Sequence, residues 1–210
     1  MIPVRRVRQP RGFKAEVEDL GAPHVAEHLA SGKELLKIWA YSSKRKYVDK
    51  LRGGFENRCG YSAIEDMVGT VDHFYSTENH PRLAYKWSNY RYSAGWLNSA
   101  KKPKHDGKWL DPYEVGADWF ELSIPDMQLS LHLDRVPVEL REKARFTFEN
   151  LPIRHDERII RLRTYIYGQF KNGELTMLGL AHKAPLIADA VRRFNTQRGQ
   201  PEAARRGLPG

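Results

Sequence analysis

With 210 residues, 40% of them hydrophobic and 11% aromatic, the chain is long and apolar enough to fold around one core with a helical annex. It contains no run approaching the roughly 18 consecutive apolar residues of a membrane span, which excludes a helical membrane protein. Lys and Arg number 35 against 26 Asp and Glu, a formal charge of +9 that favours polyanionic partners, because each neutralised phosphate releases counterions.

The single Cys59 excludes an internal disulfide and a multi-cysteine zinc site. No apolar stretch follows the charged MIPVRRVRQPRGF as it would in a secretory signal, so the expected location is cytoplasmic.

Residues 1–14 carry Arg5, Arg6, Arg8, Arg11 and Lys14 among Pro3 and Pro10, the composition of an extended basic arm. Residues 15–54 read as a helical region. From Glu34 to Leu51, Leu35, Ile38, Trp39, Ser42 and Tyr47 recur near helical spacing, with Gly53-Gly54 as the breaker. A compact segment, 55–111, follows with short apolar runs between turn formers, and Asp111-Pro112 closes it. Residues 112–196 open on two alternating stretches, Trp119 to Ile124 and Met127 to Leu131. These predict half-buried strands joined at Pro125-Asp126. Helices are expected beyond Pro137, with Leu140, Ala144 and Phe148 on one face, and Ile159, Leu162, Ile166 and Phe170 on another. Asn172-Gly173 ends that second helix, and one further helix is expected from Glu174 to Phe194. The tail, 197–210, is rich in Gly, Pro, Ala and Arg and is expected to be disordered. The fold class is α+β.

The chemistry concentrates between Cys59 and Lys102. Asp72-His73 follows a short apolar run, Asn89 comes sixteen residues after His73, Asn98 nine after that, and Lys101 three further on. The phrase VDHF…LAYKWSNYR…LNSAKK resembles the HNH (ββα-metal) nuclease family in order and spacing, over about 45 residues. The resemblance implies an α+β fold whose nucleus is two strands and a helix, flanked by N- and C-terminal helices. It also implies an endonuclease acting on DNA with Mg²⁺ or Mn²⁺.

Hydrolysis of a phosphodiester needs an activated water and a cation on the phosphate. An imidazole with an ordinary pKa near 6.5 can take the proton, which assigns His73 as general base. Mg²⁺ prefers a few oxygen ligands and keeps several waters, so Asp72 and Asn98 are the expected metal ligands. Neighbouring strand residues face opposite ways, so Asp72 and His73 serve one site only at a strand end or a bulge. The resemblance makes Asn89 a structural partner that orients His73. Lys101, one turn from Asn98 on the expected helix, is close enough to meet a phosphate. Arg5, Arg6, Arg91, Lys101, Lys102 and Lys104 are the expected nucleic-acid contacts. The stretch Tyr85, Lys86, Trp87, Tyr90, Arg91, Tyr92 suits base stacking or, equally, core packing. Asp111 suits either a further ligand or a turn.

Many members of the family frame this nucleus with zinc on two Cys-x-x-Cys pairs. The corresponding positions here are Cys59, Ser62, Ala94 and Leu97, so no structural zinc is expected. Packing by Phe55, Tyr61, Tyr85, Trp87, Trp96 and Leu97 would hold the hairpin instead. His24 and His28, at i and i+4, lack a third ligand. His80 and His105 sit in loops flanking the candidate site. Within the family the chain is similar to nuclease subunits of Septu-type anti-phage systems, which implies an ATPase partner. Two other readings stand beside the nuclease: a non-catalytic nucleic-acid-binding or scaffold subunit, and a ribonuclease.

Overall fold

The computed structural model describes residues 1–38 and 41–197. Trp39 and, beyond Gln197, the expected disordered tail lie outside the described residues.

Residues 1–10 take no regular structure, yet they are docked. Met1 and Phe13 are buried, and Val4, Val7 and Pro10 half-buried, so every third residue turns inward. That is the repeat of a polyproline-II-like extended chain, and it leaves Arg5, Arg6, Arg8 and Arg11 outside. The Trp87 Nε1–H donates to the Val7 carbonyl at 2.8 Å. Gly54 lets Val7 approach, since a Cβ there would lie 2.3 Å from the valine side chain. Gly54→Ala is therefore expected to lift the arm off the body, read as faster amide exchange over residues 4–9.

Helix α1 (Asp19–Ser31) ends at Gly32, whose left-handed φ of 73° returns its N–H to His28. Helix α2 spans Arg45–Gly54. The continuous helix expected from Glu34 is not there: residues 32–37 are irregular, and Gly53-Gly54 forms the last turn of α2 instead of preceding its end. The physical reason is tertiary. Tyr85 donates its hydroxyl to the Leu36 carbonyl at 2.7 Å, satisfying backbone that a helix would otherwise have to satisfy.

Strand β1 (Thr70–His73) pairs antiparallel with β2 (Tyr90–Ser93), in unbroken register from Thr70 opposite Ser93 to His73 opposite Tyr90. Helix α3 (Gly95–Ala100) follows directly and packs on β1. Strands β3 (Phe120–Leu122) and β4 (Leu129–Leu131) form a second antiparallel pair around Pro125-Asp126, as their alternation predicts. Helices α4 (Arg141–Asn150), α5 (Glu157–Lys171), α6 (Met177–Lys183) and α7 (Pro185–Gln197) complete the chain. The single helix expected over Glu174–Phe194 is two helices. Pro185 forces the preceding Ala184 out of helical backbone (φ −151°), which separates α6 from α7.

The class is α+β, with seven α-helices and two small antiparallel sheets among the described residues. No helix there is long and apolar enough to cross a membrane. Two apolar clusters flank the β1–β2 hairpin. One holds Phe13, Tyr47, Leu51, Val71, Tyr90 and Tyr92; the larger holds Tyr61, Phe74, Leu97, Trp109, Phe120 and Ile159.

One buried position runs against the expected pattern. Leu162 is 38% exposed, and Arg163 takes its place in the stripe of α5 at 2%. The Arg163 guanidinium donates to the carbonyls of Met127 (2.9 Å), Ile153 (2.7 Å) and Arg154 (3.2 Å). It thereby ties the β3–β4 turn to the α4–α5 link, and burial pulls its pKa down to about 10.

Candidate active site

Opposite residues of an antiparallel pair share a face, and neighbours along a strand alternate. Asp72 pairs with Arg91, and His73 with Tyr90. Asp72 and Arg91 turn towards the larger cluster, whereas His73 lies against Tyr90 of the smaller one. The register shows no bulge, so the two chemically paired residues diverge at the very end of β1.

Asp72 is fully buried. Its Oδ2 accepts from the Tyr61 hydroxyl at 2.7 Å, and Lys101 Nζ reaches Oδ1 at 2.8 Å and Oδ2 at 2.9 Å. Two main-chain carbonyls, His73 at 3.5 Å and Phe74 at 3.4 Å, complete a ring of four oxygens around the ammonium. Burial, and next the Asp72 charge, pushes the Tyr61 phenol well above its usual range, so Tyr61 remains a donor. Lys101 stands just after α3 in extended backbone (φ −69°, ψ 129°), and its side chain folds back under β1. The expected role of Lys101 as a phosphate contact is therefore not available in this conformation.

Arg91 is likewise committed. Its Nε and Nη2 hold Asp111 Oδ1 and Oδ2 at 2.6 and 2.5 Å, and Nη1 donates to the Ser88 and Tyr90 carbonyls, each at 2.8 Å. The guanidinium stacks 4.2 Å from the Tyr113 ring centre and is 3% exposed. The expectation that Arg91 binds nucleic acid is corrected on this ground, and the reading of Asp111 as a metal ligand with it. Tyr85, Trp87, Tyr90 and Tyr92 are buried too, so they are core and not a stacking platform; Lys86 is exposed and pairs with Glu18 at 2.8 Å.

Asn98 sits in α3 with its Nδ2 donating to the Val71 carbonyl (3.1 Å) and Thr70 Oγ1 (3.2 Å). Only the nitrogen end can donate to a carbonyl, so this fixes the amide's orientation and assigns Oδ1 as the other end. The contact spans 27 residues of sequence and lands one residue before Asp72.

His73 Nε2 lies 2.8 Å from the Ala84 carbonyl, which also accepts from the Tyr90 hydroxyl at 2.9 Å. A carbonyl partner places the proton of the neutral ring on Nε2 and the lone pair on Nδ1. Burial lowers the pKa below 6.5; the Ala84 carbonyl and Asp72 oppose that shift, and Lys101 adds to it. The ring is thus neutral at pH 7.

Asn89 works on the backbone around this ring. Its Oδ1 accepts from Tyr75 N–H at 2.8 Å, its Nδ2 donates to the Tyr75 carbonyl at 2.9 Å, and Nδ2 reaches the Leu83 carbonyl at 3.3 Å. Its own carbonyl accepts from Phe74 N–H at 2.8 Å. Asn89 thus clamps the residues that follow His73 to those that precede Ala84. Asn89→Ala would remove the side-chain partner of the half-buried Tyr75 N–H and carbonyl and is expected to destabilise the protein by about 1–3 kcal/mol in urea denaturation.

A cleft of about 260 Å³ opens beside Phe74 and Tyr75, with Arg6, Ser88, Asn89 and Lys143 on its walls. Arg5, Arg6, Lys102 and Lys104 are exposed. Sequence reasoning assigns Tyr61 to hairpin packing alone and does not single out Lys143: Tyr61 lies outside the spacing pattern, and Lys143 is one lysine among many on a distant helix. Cys59, Ser62, Ala94 and Leu97, the positions at which the resemblance would set zinc ligands, are all buried, with Cys59, Ala94 and Leu97 in the larger apolar cluster. Phe55, Tyr61, Tyr85, Trp87 and Leu97 are buried around the hairpin as expected, and Trp96 half-buried. On α1, His28 Nδ1 bonds the Lys33 carbonyl at 2.8 Å.

No protein-family model and no curated protein matches this chain. Among the described residues no three His, Cys, Asp or Glu side chains cluster as a metal site. The oxygens around Lys101 Nζ nevertheless form a donor set of the kind a hard cation takes, all oxygen and already turned to a positive charge. They fit a divalent ion provided Lys101 yields its place.

Proposed function

We propose that the chain is a metal-dependent endonuclease of the HNH (ββα-metal) type that hydrolyses DNA phosphodiester bonds. One observation carries the reading. The Asn98 amide, bonded to Thr70 and the Val71 carbonyl, ties α3 to β1 one residue before Asp72 and two before the carbonyl-held, neutral His73. Asp72 and the Asn98 oxygen would hold Mg²⁺ or Mn²⁺, which when bound polarises the phosphate. His73 accepts the proton of the attacking water through Nδ1, with its ring held by Ala84. Tyr61 fixes the Asp72 carboxylate, and Asn89 holds the loop that carries Ala84. The exposed cations Arg5, Arg6, Lys102 and Lys104, joined by Lys143 at the cleft, bind the phosphate backbone. Such a nuclease suits the effector role in an anti-phage system, in which an ATPase subunit would restrain it.

The test is supercoiled plasmid incubated with the purified chain in Mg²⁺, Mn²⁺ or EDTA. Nicking in either ion and none in EDTA is expected; intact plasmid in every lane would oppose the reading. The arm provides a separate measurement. Replacing Arg5, Arg6, Arg8 and Arg11 together with alanine is expected to flatten the salt dependence of DNA affinity by about 3.6 in the log–log slope, if each holds one phosphate.

A second reading, a non-catalytic nucleic-acid-binding subunit, is favoured by one feature. The buried Asp72–Lys101 pair neutralises the candidate ligand without any ion. DNA binding unaffected by EDTA, without cleavage, would select it.

A further inference from the structure

We infer that Lys101 and a divalent cation are alternative occupants of one site, so that binding the ion at Asp72 expels the Lys101 side chain from beneath β1. The inference rests on the reading of Asp72 as an ion ligand. Its observation is the four-oxygen ring around Nζ, with Asp72 at 2.8 and 2.9 Å and the His73 and Phe74 carbonyls at 3.5 and 3.4 Å. A ring of that kind is a cation site, and a lysine of the chain itself fills it.

The surroundings are built for positive charge and not for lysine in particular. The Tyr61 and Phe74 rings turn their electron-rich faces to the ammonium, at 5.4 and 5.3 Å from Nζ. Tyr61 holds the carboxylate independently of Lys101, so Asp72 keeps its orientation when the ammonium leaves. Lys101 lies outside α3 in extended backbone, and a four-carbon stem can swing out without unwinding that helix. The released ammonium joins exposed Lys102 and Lys104.

The consequence is a coupling between ion and substrate. With Lys101 inside, the carboxylate is neutralised and the surface run lacks one cation. With a divalent ion inside, the site gains positive charge and Lys101 is delivered to the face where a polyanion would lie. Lys101 thus competes with the ion, and ion affinity is reduced by the fraction of molecules in which the ammonium is seated.

The test uses the full chain and Mn²⁺. Free Mn²⁺ is titrated by electron paramagnetic resonance against wild type, Lys101→Met and Asp72→Asn. In parallel, wild-type lysines are reductively methylated with and without saturating Mn²⁺ and read by mass spectrometry. The second arm needs no variant and stands even where Lys101→Met fails to fold. The expected result is binding at least about tenfold tighter in Lys101→Met than in wild type, or measurable in Lys101→Met alone. Mn²⁺ should also raise methylation of Lys101 several-fold. Mn²⁺ bound by wild type and lost in Asp72→Asn, while Lys101 stays protected and Lys101→Met binds no tighter, would overturn the competition and leave the ion-ligand reading standing. No Mn²⁺ bound by wild type or by folded Lys101→Met would overturn both.

Discussion

Replacing His73 with alanine is expected to lower Mg²⁺-dependent plasmid nicking by about 10²–10⁴-fold, the usual contribution of a positioned general base. DNA affinity should be unchanged, because the exposed arm cations and Lys102 and Lys104 lie on other segments. The role proposed for the ring is supported by three features. Ala84 fixes its tautomer, burial keeps it neutral, and the end of β1 places it one residue from Asp72. The edge of the His73 ring also packs on Tyr90, with 5.1 Å between centres, so the variant needs a stability control. A His73→Ala protein that unfolds at the wild-type urea midpoint and cleaves at the wild-type rate would remove His73 from the chemistry.

The largest expected loss of stability lies at Arg91 and Asp111. Their side chains are 3% and 8% exposed, and two short parallel bonds join them. Asp111 also caps the turn at 112–114 by accepting from Tyr113 N–H at 2.9 Å. Asp111→Ala leaves the buried guanidinium without its carboxylate, and breaking a buried pair in this way costs about 3–5 kcal/mol. Urea denaturation should show that loss. Replacing both partners together with apolar residues should cost less than the single change, because the unpaired charge is then gone. A single-variant loss below about 1 kcal/mol would mean that the pair is hydrated in solution.

Arg91 also shows where sequence reasoning stopped. In the chain it stands among tyrosines, lysine and tryptophan, a composition that suits a nucleic-acid surface. It is internal because β2 is covered on both faces, one by the arm-side cluster around Phe13 and Leu51, the other by Tyr61 and Phe74. Charge on its own says nothing about burial; the partner Asp111, twenty residues away, decides it. Lys101 and Arg163 follow the same logic. Residue type alone sends each of them to the surface, and each is internal because distant oxygens converge on it.

Local pattern determined what depends on neighbours in sequence. The β3–β4 hairpin follows from alternation on either side of Pro125-Asp126, and the end of α5 from Asn172-Gly173. The extended arm followed from its prolines, and the α6–α7 break was legible in Pro185, though a longer helical periodicity concealed it. The order Asp72-His73, Asn89, Asn98, Lys101 was likewise visible in the chain, together with the chemistry those residue types allow. Only the tertiary structure decided how they meet: Asn98 anchored on Val71, His73 on Ala84, and Asp72 facing Lys101 and Tyr61 across 29 and 11 residues. The reason is physical. Hydrogen-bond and periodicity rules act over a few residues, whereas the partner of a buried charge is chosen by which distant segments the core brings within 3 Å of it.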